Sequence, residues 1–165
     1  MAKGDIFLKI DSQRGGAIAG EANDVKHRGE IDVLGWSWGM QQPSAMGAGG
    51  AASGRRTLDA VVVTKHVDAA STALMSCLST NDHIKKAILT VRKAAGAAPI
   101  DYLRITIEKG RITSIKLETD PADNQKVIEH VTLSYQQIEV SYTGQSEKGG
   151  SQASSTFVDS IEQRT

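Results

Sequence analysis

Residues 47–52, Gly-Ala-Gly-Gly-Ala-Ala, match the G-x-G-x-x-A spacing with which dinucleotide-binding proteins cradle a pyrophosphate. That chemistry needs a helix N-terminus directly behind the glycines, and here Arg55 and Arg56 lead into a β-branched stretch. The phosphate-loop spacing from Gly49 to Gly54 fails as well, because the two arginines stand where a lysine and a hydroxyl residue are required. His27, His66, His83 and His130 form no metal-ligand spacing with one another, and the single cysteine, Cys77, belongs to no C-x-x-C pair. Glu118, Asp120 and Asp123 surround Pro121 without the ordered ligand pattern of a calcium loop, which makes them a solvated turn. Trp36 and Trp38 could stack on bases or sugars, but they share a strand face with Leu34 and are assigned to the core. No catalytic constellation, metal site or cofactor site is expected.

The elements that carry these residues are mostly strands. Ile6, Leu8 and Ile10 alternate with Asp5, Phe7 and Lys9, and Glu30 to Trp38 alternates again, with Leu34, Trp36 and Trp38 on one face and Ile31, Val33, Gly35 and Ser37 on the other. Residues 58–67, 87–94, 101–119 and 127–143 are β-branched and strand-like, and the third of these has the form of a hairpin turning at Lys109 and Gly110. One helix interrupts the strands. Ala70, Ala73, Leu74, Cys77 and Leu78 follow its apolar spacing, with Asp68 placed as N-cap and Leu74 and Leu78 as core residues. The expected architecture is mainly β, a closed barrel or sandwich of antiparallel strands with one short flanking helix and an extended glycine-rich loop at 41–54. Residues 144–155 are low in apolar side chains and are expected to form a flexible tail, before a possible last strand at 156–162.

One sheet face is unusual. In 127–143, strict alternation puts Val131, Leu133 and Tyr135 on one side and Thr132, Ser134, Gln136, Ile138 and Val140 on the other. A face rich in hydroxyls suits water better than a core, since an unpaired buried hydroxyl costs about 1–3 kcal/mol.

A chain of 165 residues is expected to form one domain. With 19 basic and 19 acidic side chains interspersed, it offers no electrostatic footprint for nucleic acid and no repulsion against its own copies. No stretch approaches the roughly 18 apolar residues of a membrane span. The start, with charges at Lys3, Asp5 and Lys9, is no signal peptide, so a cytoplasmic product is expected and any export would take another route.

The blocks DIFLKID, EIDVLGWSWG, the glycine-rich loop, LDAVVVTKHVDAASTALMSCLS, AILTVRKA, YLRITIE and EHVTLSYQQIEVSY, in that order, resemble the hemolysin-coregulated protein (Hcp) family, the tube proteins of the bacterial type VI secretion system. The resemblance fades after Tyr142. It implies a β-barrel that assembles as a homohexameric ring, stacked into a tube, capped by a spike of the VgrG type, driven out by sheath contraction, and carrying small effector proteins inside. It implies no cofactor and no active site. On that basis Gly35, Ser37, Val33, Thr132, Ser134 and Gln136 are expected to face the channel. Met46, Gly47, Gly49, Gly50, Arg55 and Arg56 are expected to contact the neighbouring subunit. The competing expectation is a monomeric barrel that binds a ligand or effector in its apolar interior.

Overall fold

The computed structural model of the protein describes residues 5–43, 56–93, 99–145 and 151–161. Among the described residues twelve strands and one helix follow in the order β1 (Ile6–Ser12), β2 (Gly16–Ala17), β3 (Ile31–Asp32), β4 (Gly35–Ser37), β5 (Met40–Gln41), β6 (Thr57–Leu58), β7 (Val61–His66), α1 (Ser71–Ser79), β8 (His83–Lys93), β9 (Ile100–Asp120), β10 (Asp123–Ser134), β11 (Gln137–Gln145) and β12 (Ser151–Ser160). Ten strands form one antiparallel sheet along the path β2-β1-β8-β9-β10-β7-β4, with β3 on β1, β11 on β9 and β12 on β11. β5 and β6 form a separate pair on either side of the expected glycine-rich loop, whose residues 44–54 lie outside the described residues.

The mainly antiparallel β architecture with one helix agrees with the sequence, but no sheet among the described residues closes into a barrel. The segment from Ile31 to Ser37 instead serves two separate strands, pairing with β1 through Ile31 and Asp32 and with β7 through Gly35 to Ser37. The change of partner falls between Val33, whose amide donates to Ile6 O, and Leu34, whose amide donates to Thr64 O. Alternation is reset there. Ile31 and Val33 are buried and Leu34 is half exposed, so the uniform strand expected over Glu30 to Trp38 does not exist.

The hairpin expected at Lys109 and Gly110 is absent too. β9 is one strand of 21 residues whose first half pairs with β8 and β11 and whose second half pairs with β10. At its middle the chain bends. A Cβ on Gly110 would lie 2.3 Å from the Ser134 carbonyl oxygen, and Lys109 sits at φ 53°, a left-handed conformation that costs a non-glycine residue about 1–2 kcal/mol. Lys-Gly therefore supplies a bend, where the local turn chemistry suggested a reversal. Its counterpart is the corner at Tyr135 and Gln136 that separates β10 from β11. The corner shifts the alternation, which is why Ile138, expected beside Thr132 and Ser134, is fully buried. The expected tail is likewise corrected in part, because residues 151–155 belong to β12 and pair with β11; residues 146–150 lie outside the described residues.

Leu8, Ile10, Val61, Val63, Leu89, Ile105, Val131 and Leu133 form the centre of the core, and Leu74 of α1 joins them. Phe7 is on the other side of β1 and is buried by a different device: the His27 ring stacks on it at 4.4 Å, and the Arg92 guanidinium lies 5.0 Å from its centroid. Leu78 is 37% exposed and is not a core residue, because α1 ends one residue later and the chain turns back through Asn81 at φ 54°. Asp68 is not the N-cap either. Ala70 holds that position without a side-chain cap, while the Asp68 carboxylate accepts the Ala70 amide at 2.9 Å.

Asp68 has a second task. Lys65 of β7 and Glu129 of β10 are paired in register and wholly excluded from water, with Nζ and Oε2 2.7 Å apart. Lys65 Nζ also reaches Asp68 at 2.9 Å and the Ser71 hydroxyl at 3.0 Å, and that hydroxyl donates to Glu129 Oε2 at 2.7 Å. Two strands and the helix thus meet at one buried charge pair. Lys65→Met, which strands the Glu129 charge, should lower stability in denaturant unfolding by about 3–5 kcal/mol. The double variant Lys65→Met/Glu129→Leu should recover most of the loss. A single variant as stable as the parent would remove the pair from this role.

Candidate functional site: a small-residue sheet face

β4, β7, β10 and the second half of β9 lie side by side, and their register builds the outward face row by row. Ser37 pairs with Val62, Val62 with Thr132 and Thr132 with Ser114; in the next row Gly35 pairs with Thr64, Thr64 with His130 and His130 with Lys116. Paired residues of an antiparallel sheet project to the same side, so the hydroxyls, the glycine and the small aliphatic side chain share one surface. A Cβ built on Gly35 would meet nothing within 4 Å. The fold therefore does not require glycine there, and its effect is to keep the surface shallow.

Of the residues expected on this face, Gly35, Ser37, Thr132 and Ser134 are on it. Ser134 closes the row end, its hydroxyl donating to Arg111 O at 3.3 Å. Val33 is not on it. It is buried in the core at 2% exposure, because the pairing partner changes immediately after it. Gln136 is exposed at the corner between β10 and β11, where its amide donates to Glu108 O, and does not extend the rows.

The face also carries titratable and charged groups. His130 accepts or donates at both ring nitrogens, with Thr64 Oγ1 at 3.0 Å and Glu118 Oε1 at 2.7 Å, and Lys116 is beside it. Farther along, His66 Nε2 is 3.1 Å from Asp120 Oδ2. The hydrogen bond from His130 holds the Glu118 carboxyl below the usual carboxylate range, and the Ala122 amide and His66 do the same for Asp120. The acidic turn is thus engaged by histidines and backbone amides. Among the described residues no group of three or more histidine, cysteine or acidic side chains is arranged to hold a metal ion.

The remaining candidates have structural surroundings. Cys77 is buried with its thiol pushed up by desolvation, the opposite of an activated nucleophile. His27 has Glu30 and Asp101 at its two ring nitrogens in addition to the Phe7 stack. Trp36 and Trp38 are half-buried against the core, and Trp38 Nε1 donates to Tyr135 OH at 2.7 Å, which donates to Asp59 O at 2.6 Å. Arg56, expected at a subunit contact, makes a bidentate pair with Asp159 and a bond to Ser160 O within the chain, which fastens the stem of the excursion to β12. Met46, Gly47, Gly49, Gly50 and Arg55 lie outside the described residues.

The Glu118 carboxyl titrates lower in the folded chain than in the unfolded one, so its pairing supports the fold at neutral pH and loses that contribution as pH falls through the carboxylate range. With His130→Gln, a carboxyl-carbon NMR titration should show Glu118 moving up toward ordinary glutamate behaviour. An unchanged curve would mean that the pair does not form.

With the fold and this face described, comparison with known proteins gives a consistent result. Residues 7–142 match the family model described as type VI secretion system effector, Hcp. The chain is 36% identical over 146 residues to the protein hcp1 of Pseudomonas aeruginosa, covering 88% of this chain and 86% of that one. The crystal structure of Hcp1 from Salmonella typhimurium is similar with a TM-score of 0.70 at 31% identity, over 93% of both chains. A solved type six secretion system protein shares the fold with a TM-score of 0.81 at 21% identity, over 94% of this chain and 96% of that one.

Proposed function

The chain belongs to the Hcp family of type VI secretion system proteins, and from that premise we propose that it is the structural tube component and effector carrier of such a system, with the β4–β7–β10–β9 face lining the channel of a homohexameric ring. The observation that carries this is the outward face itself, two cross-strand rows built from Gly35, Ser37, Val62, Thr64, Ser114 and Thr132 around a separate, packed core. Small hydroxyl-bearing groups offer modest hydrogen bonding to many protein cargoes without selecting strongly for one. Lys116 and the His130–Glu118 pair add charge of both signs at the margin.

A ring requires a heterologous interface, in which one patch of a subunit meets a different patch of the next. We assign one of those patches to the excursion that carries Met46, Gly47, Gly49, Gly50, Arg55 and Arg56, whose stem is held by β5, β6 and the Arg56–Asp159 pair. The rings would stack, receive a spike of the VgrG type at one end, and leave the cytoplasm by sheath contraction. The role is mechanical and calls for no enzyme activity and no cofactor. The competing monomeric ligand-binding barrel finds little support. The void among Leu8, Val61, Leu89, Ile105 and Leu133 is about 10 Å³, at most the space of one water molecule.

Native mass spectrometry of the purified chain should give a homohexamer, and deletion of Ser44 to Ser53 should break it. Ser37→Arg should keep the ring and lower the amount of effector that co-purifies with it. A monomer in every sample would overturn the ring, and full cargo retention by Ser37→Arg would overturn the lumen assignment.

A further inference from the structure

Two backbone irregularities on neighbouring strands each present a lysine to the same groove. In β9, Lys109 occupies the left-handed bend at φ 53°, where glycine or asparagine would be accommodated at lower cost. In β8, Lys85 lies where the register against β1 shifts between Asp11, opposite Lys86, and Ser12, opposite Ile84. The pairs Ile84–Gly110 and Lys86–Glu108 on the other side put Lys85 across from Lys109. Like charges opposite one another on adjacent strands are unfavourable. Among the described residues neither lysine has an ion-pair partner, although Lys86 beside them reaches Glu108 at 3.9 Å.

The groove they line has a volume of about 460 Å³ and is completed by Gln13, His83, Ile84 and Gln136. Its walls hold two ammonium groups, an imidazole and two amides, and no carboxylate. Strain at one lysine and repulsion between the two are both retained in a chain whose net charge is zero. Costs of this kind persist where a side chain serves a purpose other than stability.

We propose that this groove is an anion-recognition site that takes a carboxylate-bearing peptide segment of a partner protein. Lys85 and Lys109 would hold the acidic side chains, and the Gln13 and Gln136 amides would bond the peptide backbone with both donors and acceptors. Nucleic acid is the poorer fit. The groove has no aromatic platform for a base and no basic stripe to follow a phosphate backbone. The site is on the corner where β9 bends, apart from the small-residue rows, and does not depend on their lining a channel.

The test is calorimetric titration of the full chain, in its purified assembly state and at low ionic strength, with an acetylated hexaglutamate peptide, and with hexathymidylate as the nucleic-acid control. Lys109→Gly keeps the left-handed backbone, and Lys85→Gln keeps a polar, unbranched side chain while removing its charge. Each should leave the native mass unchanged, and Lys109→Gly, which relieves the left-handed strain, should hold or raise the melting temperature. Saturable peptide binding that weakens on the order of tenfold in each variant, and further in the double variant, is the expected result. Absence of saturable peptide binding, affinity unaffected by either substitution, or tighter binding of the oligonucleotide would overturn the proposal. A change in native mass would instead bear on the ring, so the two outcomes remain separate.

Discussion

The Lys65–Glu129 pair is the constraint around which the molecule is organised. A buried cation and a buried carboxylate tolerate one arrangement, because the desolvation of each is offset only when the other is in hydrogen-bonding contact. The pair fixes the register of β7 against β10, since a slip of one residue would separate the charges and turn every side chain to the opposite face. That same register decides that Val62, Thr64, Thr132 and His130 project outward while Val61, Val63, Val131 and Leu133 project inward. Through Asp68 and Ser71 it also fixes the start of α1. The outward face proposed as the channel wall is therefore a consequence of a charge pair on the inward one.

A second set of contacts joins this sheet to the rest of the chain. Gly110 lets β9 pass against the Ser134 carbonyl, so that one strand can serve β10 with its second half and β11 with its first. At the matching corner, Tyr135 relays a hydrogen bond from Trp38 to Asp59, and Arg56 clasps Asp159 of β12. The hydrogen bond from Arg56 holds the Asp159 carboxyl below the ordinary range. These bonds anchor the stem of the glycine-rich excursion to a rigid sheet. Anchoring is what a segment needs if it is to reach a neighbouring subunit in a defined direction.

Much of this was legible in the sequence where a single interaction governs a residue. Alternation located the strands, and it placed Ser37, Thr132 and Ser134 together because the register shift beside Thr132 puts its extra residue in β9 and leaves the alternation of β10 intact. Alternation failed at Val33, Leu34 and Ile138, where a strand changes partner or has just turned a corner. Lys65 and Glu129 were not legible in the sequence, for another reason. Both have the signature of solvent-facing residues, and only the opposition of two strands distant in sequence allows them to be buried. The role of Val62 and Thr64 between β4 and β10 depended on strand order, which the pattern of any one strand does not contain. His130 and Glu118 are 12 residues apart on different strands, and no local spacing announces their contact.

The central claim is that the Gly35–Ser37–Thr64–Thr132 surface faces a channel axis. An electron cryomicroscopy map of the purified assembly, at a resolution that shows side chains, tests it most directly. The account predicts a homohexameric ring with Ser37 and Thr132 directed toward the axis and α1 away from it. A ring in which these residues lie on the outer circumference or between subunits would contradict it.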